Sequence, residues 1–485
     1  MSWMRTQQRA LGILASWLWL IFVLSCCVGP TAATFLPQPH LWWNYTLPVD
    51  SNGFDRSVLQ GNGAVVSQDG SRVFVTAQDG SLHILRTGDL NRSVYFEPTG
   101  TNNGTGFSCQ SSISLHESPN GVHFAVYAVI ENDTSLATAN SRVIAVDPDG
   151  KHLWTVNITG TASGTPVVNG NGTRVYVTHN AISPYTSSLD GFITTIVVDS
   201  RAGYHGSIDT TLPHNSQGSL GTLTPVTVRT VRNGGDSIDV AAFAKTQAYS
   251  YSSTSGGDVY VLTSTSSNAA IKAGKTREGY YNMTLVSSFP LTASARPQLS
   301  SNGLQLYLAQ DQSRVMGWDG NVNLSLVEYN GLSNIPPRWE QRLTDNAGNN
   351  YGPIVTTPIL TPDDQTLFVT TSAPNIVAIN VNQGSMNWAN SLTGNVLADP
   401  VLAYPKDGSA SPVVHVFEVR HRNALGDVLH FPLGVLIVRR CYLTTTGFYW
   451  HHSPIRWRNR EPKLADRLLY SDWFALLPRV CGGKR

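Results

Sequence analysis

Few side chains of this 485-residue chain have the types and spacing that catalysis or metal binding requires. Asp147-Pro148-Asp149-Gly150 alternates carboxylates as a calcium loop does, but the other ligand positions of such a loop are unfilled and Pro-Asp-Gly favours a β-turn. His451-His452 is the one adjacent histidine pair, and its setting favours a surface or packing role. The motifs of a nucleophile elbow, a zinc protease, a P-loop and a C-x-x-C pair are absent. The sequence therefore predicts no catalytic residue.

Cysteine usage is sparse, with five residues in the whole chain. Cys26 and Cys27 lie in the amino-terminal apolar run, while Cys441 could pair with Cys481 in a secreted chain and leave Cys109 over. Cys109 is interpreted as a small buried apolar residue rather than a redox group. We therefore expect no disulfide framework.

The elements that would position any site come from a pattern that recurs, at a spacing of roughly fifty to seventy residues, from Ala64 to about Val416. Each copy has two apolar residues, a turn rich in Asp, Asn and Gly, and a strand centred on an aromatic. The aromatics of the four clear copies are Phe74, Tyr176, Tyr307 and Phe368, and those of the two looser copies are Phe124 and Phe243. A seventh copy begins at Asp399. Units of this kind cannot bury their apolar faces alone, which predicts radial packing as a β-propeller.

The period within each copy is that of β-strands. Between residues 72 and 84 apolar residues alternate with polar ones, and Asp79-Gly80 forms a hairpin turn that needs positive φ. Helical spacing over eleven or more positions does not occur between Phe35 and Phe417. We therefore expect antiparallel β-structure with short helices at most.

Two copies end in a further signature, AVDPDGKHLW at residues 145–154 and AINVNQGSMNW at residues 378–388, and VVDSRAGYHG at residues 197–206 is a partial third. This signature resembles the tryptophan-docking repeat of PQQ-like propellers, a superfamily that includes quinoprotein alcohol dehydrogenases and a propeller lipoprotein of the bacterial outer-membrane assembly machinery. The resemblance covers roughly residues 40–418. It implies that Gly150 and Gly384 permit the turn, and that Trp154 and Trp388 dock as flat apolar plates against the adjacent blade.

The resembling superfamily contains both enzymes and binding proteins, so the fold alone does not decide activity. Its enzymes carry a vicinal disulfide above the quinone, and the only adjacent cysteines here, Cys26-Cys27, fall in the amino-terminal run. No stretch matches the calcium ligands and catalytic Asp of those enzymes. We therefore expect no cofactor; a quinone-dependent oxidoreductase with PQQ and calcium is the alternative.

The amino terminus is typical of a secretory signal. Arg5 and Arg9 precede an apolar run at residues 11–28, and Thr31-Ala32-Ala33 offers small residues for cleavage before Thr34. The alternative is an uncleaved anchor, because the run approaches the ~20 apolar residues that span a bilayer. Eight Asn-x-Ser/Thr sequons fit a secreted eukaryotic glycoprotein, although a chain rich in these residue types produces several by chance. They are Asn44, Asn91, Asn103, Asn132, Asn157, Asn171, Asn282 and Asn323.

Charge divides the chain near Val419. Residues 1–418 carry 21 basic and 28 acidic side chains, against 12 and 4 in residues 419–485. The body has no basic cluster, which argues against nucleic-acid binding. The carboxy-terminal segment is interpreted either as a basic arm for an acidic surface or membrane, or, as we favour, as sequence foreign to the repeat from a retained intron or shifted frame. We expect it to be irregular or weakly helical, with residues 41–49 closing the propeller.

Together these features predict a signal peptide at residues 1–33, an all-β, PQQ-like propeller at residues 34–418 and a basic irregular tail at residues 419–485. The propeller would have about seven blades, six complete and one interrupted. The predicted function is a secreted or lumenal, noncatalytic scaffold for a protein or glycan partner, with inserted segments at residues 268–282 and 329–342 as candidate binding loops. A membrane-anchored structural propeller is a further alternative, with membrane attachment only if the signal is uncleaved.

Overall fold

The structure is a computed structural model that describes most of residues 64–451. The larger gaps in this range are residues 99–106, 132–139, 183–188, 213–221, 246–256, 266–280, 319–335, 404–412 and 422–433, and from residue 401 onward only the backbone of strands is described. Almost all described secondary structure is β-strand, with one turn of 3-10 helix at Ser200–Ala202. The prediction of an all-β chain is confirmed.

The described strands form seven antiparallel sheets that follow one another along the chain. Each sheet is a meander in which consecutive strands pair, except that in three sheets the first two strands both pair with the third. Sheet 1 contains β1 (Val65–Val66), β2 (Arg72–Thr76), β3 (Leu82–Arg86) and β4 (Val94–Phe96). Sheet 2 contains β5 (Phe107–Ser108), β6 (Ser114–Ser118), β7 (Gly121–Glu131), β8 (Asn140–Val146) and β9 (His152–Thr159). Sheet 3 contains β10 (Thr161–Ala162), β11 (Val167–Val168), β12 (Arg174–Ile182), β13 (Leu189–Asp199) and β14 (His205–Leu212).

The remaining four sheets repeat this order. Sheet 4 contains β15 (Thr227–Asn233), β16 (Asp236–Ala244), β17 (Gly257–Thr265) and β18 (Tyr281–Phe289). Sheet 5 contains β19 (Gln298–Leu299), β20 (Leu306–Gln310), β21 (Arg314–Trp318) and β22 (Trp339–Arg342). Sheet 6 contains β23 (Ile359–Leu360), β24 (Thr366–Thr371), β25 (Asn375–Asn380) and β26 (Ser385–Ser391). Sheet 7 contains β27 (Asn395–Val396), β28 (Val401–Ala403), β29 (Val413–His421), β30 (Gly434–Thr444) and β31 (Gly447–His451).

The repeated aromatic has the same register in the four sheets with a clear copy of the pattern. It pairs with a residue of the short strand before it, as Val65↔Phe74, Val167↔Tyr176, Gln298↔Tyr307 and Ile359↔Phe368. All four rings are buried. The sequence pattern therefore predicted both the strand and the face that it buries.

Apolar clusters join each described sheet to the next. One cluster brings Phe74 and Ile84 of sheet 1 against Tyr127 of sheet 2, and another brings Tyr307 of sheet 5 against Val369 of sheet 6. Equivalent clusters fill the other junctions from sheet 2 to sheet 7. Since consecutive sheets of four or five strands pack face to face in this way, the fold is a β-propeller of seven sheets.

The seventh sheet differs from the interrupted repeat and the irregular tail that the sequence predicted. β29 crosses the proposed boundary at residues 418 and 419, and β30 and β31 lie beyond it, yet all three pair as one antiparallel series. The physical reason is strand propensity, because residues 434–444 and 447–451 are rich in β-branched and aromatic residues despite their basic charge. Residues 452–485 and the closing strand predicted at residues 41–49 lie outside the described residues, so both predictions stand as such.

Candidate functional site

The predicted docking residue Trp154 lies on β9, the outer strand of sheet 2. Its side chain is 2% exposed, and its indole covers Gly206 at the start of the outer strand of sheet 3. A Cβ on Gly206 would come within 2.5 Å of the indole, so only glycine leaves room for the ring. The plate therefore belongs to one sheet and its glycine to the next.

The same arrangement recurs at two other junctions, with different side chains as the plate. Gly384, at positive φ, is covered by Trp339 of sheet 5 and not by the Trp388 of its own motif. Gly150, also at positive φ, is covered by Val94 of sheet 1. The turn glycines Gly150 and Gly384 thus receive their plates from the preceding sheet, whereas in sheet 3 the plate covers Gly206 rather than the turn glycine Gly203.

Trp388 is half-buried on β26, where its ring centroid lies 5.9 Å from that of Phe368 in the same sheet. It also packs against the apolar cluster that leads to sheet 7. Docking of Trp388 on a glycine of sheet 7 stays a prediction.

Trp339 was missed by the sequence analysis, which assigned residues 329–342 to a candidate binding loop. The structure corrects this assignment, because Trp339–Arg342 is the outer strand of sheet 5. The indole Nε1 of Trp339 donates to the carbonyl of Val381 at 2.7 Å. Most of the other inserted segment, residues 268–282, lies outside the described residues, although Asn282 falls within β18.

The Asp147-Gly150 segment forms a turn, as predicted. Asp147 Oδ1 accepts hydrogen bonds from the backbone N–H groups of Asp149 and Lys151, and the Gly150 N–H donates to the Asp147 carbonyl at 3.1 Å. Among the described residues, no three His, Cys, Asp or Glu side chains converge on one point. His451-His452 has no described side chains.

The sequons fall into three groups. Asn157, on the outer strand β9, and Asn171, in the β11–β12 turn, are exposed. Asn282 is described only by its backbone in β18. The remaining five, at Asn44, Asn91, Asn103, Asn132 and Asn323, lie outside the described residues, and glycosylation stays a prediction for all eight.

Two potential nucleophiles are enclosed. Ser81 Oγ lies 3.1 Å from His83 Nε2 and donates to Asp79 Oδ1 at 2.6 Å, but both Ser81 and His83 are fully buried. Cys109 is also fully buried, as predicted, and burial raises the pKa of its thiol. A substrate in solution reaches neither group, so their geometry does not define an active site.

A buried polar cluster joins sheets 3 and 4 around Asp239. Tyr176 donates its hydroxyl hydrogen to Asp239 Oδ2 at 2.8 Å, and Asn169 Nδ2 donates to the same oxygen at 2.9 Å. Thr230 donates to Oδ1 at 2.8 Å, and Arg174 Nη1 lies 3.7 Å from Oδ2. Burial and the Asp239 charge raise the pKa of Tyr176 well above its ordinary value. Because its carboxylate is enclosed and satisfied, the cluster holds two sheets together rather than binding a ligand.

The accessible candidate is formed by two long hairpins. β7 continues seven residues past Phe124, and β12 continues six past Tyr176, whereas β2 ends two residues after Phe74. At ~3.4 Å per residue, four extra residues extend a hairpin by about 14 Å. We call the exposed and partly exposed residues at the ends of these hairpins the tip surface; they are Ile130, Glu131, Asn140, Arg142, Ile182 and Leu189.

The bases of the two hairpins are braced against each other and against sheet 4. Ser141 Oγ accepts from the Ala162 N–H at 3.0 Å, and Ala162 pairs with His179 in sheet 3. Asn180 Oδ1 accepts from the Leu223 N–H at 3.0 Å, on the segment that leads to sheet 4. These bonds give the tips a fixed relative position.

His179 lies beneath the tip surface in a closed hydrogen-bond chain. Its Nδ1 is 2.8 Å from the Thr159 carbonyl, and its Nε2 is 2.8 Å from Thr194 Oγ1. Since the carbonyl only accepts, Nδ1 carries the proton and Nε2 accepts from the hydroxyl. Burial lowers the pKa of His179 to about 4, so the ring is neutral at physiological pH.

The tip surface combines an apolar pair with an ion pair. Ile182 and Leu189, which are 41% and 46% exposed, face each other across the end of the β12–β13 hairpin. On the neighbouring hairpin, Arg142 Nε donates to Glu131 at 2.6 Å and its guanidinium lies 5.0 Å from the ring centroid of Phe107. The surface therefore presents apolar area beside an ordered charged group, a composition typical of protein interfaces.

No protein-family model and no curated protein sequence matches the chain. Among solved structures, it is similar to the β-propeller domain of Cps50 (Swd1) from Myceliophteria thermophila, with 10% identity and a TM-score of 0.44 over 74% of this chain and 94% of that one. It is also similar to the Dos1 propeller, with 12% identity and a TM-score of 0.46 over 76% of this chain and 79% of that one. A third similar structure is BamB from Moraxella catarrhalis, with 11% identity and a TM-score of 0.40 over 85% of this chain and 98% of that one. Likeness at this level carries no inference about activity or partner.

Proposed function

We propose that this chain is a noncatalytic binding scaffold whose tip surface receives a protein or glycan partner. The observation that carries the proposal is the exposed pair of Ile182 and Leu189 at the end of a braced, extended hairpin. Exposed apolar side chains on a rigid support bind with little loss of conformational entropy, which is the property of interface anchors.

The polar setting of the pair supports the same proposal. Arg142 is held by Glu131 and Phe107 before any partner arrives, so its guanidinium is already ordered. Arginine and exposed aliphatic groups suit a protein partner, and oriented donors also suit the hydroxyls of a glycan. A protein partner and a glycan are separated by the experiment below.

The test compares the double variant Ile182→Asp/Leu189→Asp with Ile208→Asp/Leu304→Asp. The control side chains are 46% and 47% exposed but lie away from the tips, on β14 and in the β19–β20 turn. Each protein is used to capture partners from extracts of its native source and is screened on a glycan array. We expect the tip variant alone to lose the partner or glycan bound by the wild type. Equal binding by both variants contradicts the proposal.

We further propose that the chain is a PQQ-like propeller that enters the secretory route and is cleaved before Thr34. The Gly150 and Gly384 turns support the first point, and the order of charged, apolar and small residues before Thr34 supports the second. Sequencing of the mature amino terminus tests cleavage, and a terminus at Met1 contradicts it. In the part of the chain that the structure describes, none of the helices has the length and hydrophobicity of a membrane crossing.

The proposed scaffold binds no quinone. Addition of PQQ and calcium to the purified protein tests this point directly. A bound chromophore that survives gel filtration would favour the quinone-dependent oxidoreductase instead.

A further inference from the structure

A second polar group lies at the junction of sheets 2 and 3, at the ends of the strands opposite the tip surface. It contains His116 on β6, His123 on β7 and Tyr204 in the turn before β14. The ring centroids of the two histidines are 5.1 Å apart, and that of Tyr204 lies 5.7 Å from His123 and 6.4 Å from His116. Both imidazoles are half-buried, so solvent and small ions reach them.

A β-bulge brings the two imidazoles together. The β6–β7 register shifts between His116 and Glu117, where His116 pairs with Phe124 and Glu117 pairs with Val122. His123 is therefore the extra residue of the bulge and lies on the same side as His116, against the alternation of an ordinary strand. Bulges of this kind often re-aim a side chain at a functional site.

The surroundings of the pair also depart from ordinary backbone geometry. Tyr204 has φ of 63°, in the left-handed region that non-glycine residues seldom adopt. On the other side, the Nε2 edge of His116 packs onto Gly172, where a Cβ would come within 2.3 Å of the ring. Two unusual backbone positions thus hold the pair in place, a feature that suggests function.

The separation of the rings suits shared coordination of a metal ion. With metal–nitrogen bonds of ~2.0–2.1 Å and a tetrahedral angle, two imidazoles on one zinc ion have ring centroids roughly 5 Å apart. The observed separation is 5.1 Å with an interplanar angle of 27°. Imidazole nitrogen is a preferred ligand of zinc and copper.

The hydrogen bond of His123 and the packing of His116 leave one nitrogen of each ring for a metal. His123 Nε2 lies 2.8 Å from Ser118 Oγ, and when it donates there the lone pair of the ring is on Nδ1. The Nε2 of His116 faces Gly172, so its Nδ1 is the nitrogen directed away from that wall.

We propose that His116 and His123 bind one divalent transition-metal ion of the zinc and copper type through their Nδ1 atoms. Water completes the coordination, and Tyr204 of sheet 3 forms the wall of the site. The ion binds folded protein in preference to unfolded chain, and it therefore stabilises the junction of sheets 2 and 3.

The test is a calorimetric titration of tag-free, full-length protein with Zn²⁺, together with thermal unfolding with and without the ion. We expect one site per chain and a melting temperature that rises with Zn²⁺ and returns with a chelator. His116→Gln and His123→Gln should each abolish the site. His152→Gln is the matched control, because His152 is an exposed histidine of the same sheet and should leave binding unchanged.

Circular dichroism without metal establishes that each variant is folded. If His116→Gln does not fold, His123→Gln decides the matter, since the His123 ring is not packed on Gly172. Absence of a one-site isotherm in the wild type overturns the proposal. Retention of the site in folded His123→Gln, or its loss in His152→Gln, overturns it equally.

Discussion

Sheets 2 and 3 differ from sheets 1 and 6 in the length of the central hairpin, although the aromatic of sheet 3 has the same register as those of sheets 1 and 6. The second strand runs six or seven residues past the aromatic in sheets 2 and 3, and two or three in sheets 1 and 6. The inner part of each sheet is therefore constant, because it packs against its neighbours. Length varies at the end that leaves the core, where extra residues disturb no packed neighbour.

The junctions differ in chemistry as well. Sheets 2 and 3 meet through a fully enclosed indole, and sheets 3 and 4 through a buried carboxylate cluster. The indole of Trp388, on the outer strand of sheet 6, is only half-buried. The extended hairpins thus rise from sheets that are joined by buried groups, which is where a binding surface needs rigid support.

The largest expected effect on the free energy of unfolding comes from removing the indole of Trp154, and removal of the Trp388 indole is the comparison. Trp154→Ala should lower the free energy of unfolding by ~3–5 kcal/mol, because it removes a buried ring over Gly206. Trp388→Ala should cost about 1–2 kcal/mol, because that ring already contacts solvent. Urea unfolding measures both. A loss below about 0.5 kcal/mol for Trp154→Ala, which is usual for surface sites, would contradict docking.

The next effect concerns acid stability beneath the tip surface. The pKa of His179 is about 4 in the folded protein against 6.5 ordinarily, so between these pH values the unfolded chain binds a proton that the folded chain does not. The contribution of His179 to the free energy of unfolding is therefore at its maximum above pH 6.5, and it falls by roughly 3 kcal/mol as the pH drops toward 4. We expect His179→Gln to remove this part of the pH dependence, whereas the exposed control His152→Gln retains it. Urea unfolding from pH 7.5 to 4 measures the slope, and identical slopes for wild type and His179→Gln refute the assignment.

A smaller effect on stability is expected from removing the tyrosine hydroxyl at the same repeat position in sheets 3 and 5. Tyr176 donates to the buried carboxylate of Asp239, whereas Tyr307, at the equivalent place in sheet 5, donates to the amide oxygen of Gln305. Hydrogen bonds to charged groups are worth ~1.5–3 kcal/mol and neutral ones ~0.5–1.5 kcal/mol. Tyr176→Phe should therefore destabilise more than Tyr307→Phe in chemical unfolding. The reverse order would show that the carboxylate cluster contributes little.

The smallest expected effect on stability comes from shortening the tip itself. Replacement of residues 182–189 by Asn-Gly rebuilds a two-residue hairpin between Ala181 and Asp190. Because the side chains of Ile182 and Leu189 are 41% and 46% exposed, the free energy of unfolding should change by about 1 kcal/mol or less. Partner capture should nevertheless be lost. A large loss of stability would show that the tip belongs to the core rather than to a binding surface.

The sequence predicted the parts of the fold that depend on local pattern. The aromatic strands follow from period-two alternation, and the Asp79-Gly80 turn follows from positive φ, which the structure shows at Gly80. Seven copies of such a pattern predict seven sheets, and seven are present among the described residues.

The remaining features depend on contacts or irregularities that a local pattern does not encode. Trp339 was missed because residues 319–335 separate it from the preceding strand and because its glycine, Gly384, belongs to the next repeat. The bulge at His123 breaks the alternation that predicts which face a residue occupies. Residues 419–451 were predicted to be irregular from their basic composition, but their β-branched and aromatic residues favour strands. The tip surface had one usable signal, the length of apolar alternation after Phe124 and Tyr176.

The pairing of a plate with a glycine from the next sheet constrains how such a chain can gain or lose repeats during evolution. Each junction is encoded half by one repeat and half by its successor, as Val94 with Gly150, Trp154 with Gly206 and Trp339 with Gly384. Duplication of a whole repeat therefore supplies both a new glycine and a new plate, and every junction keeps a partner. The plates are not interchangeable, however, because a copy of sheet 1 inserted before sheet 3 would place a valine on the glycine that now receives an indole. Copies of sheet 2 are thus the ones that could multiply at this point without opening a cavity.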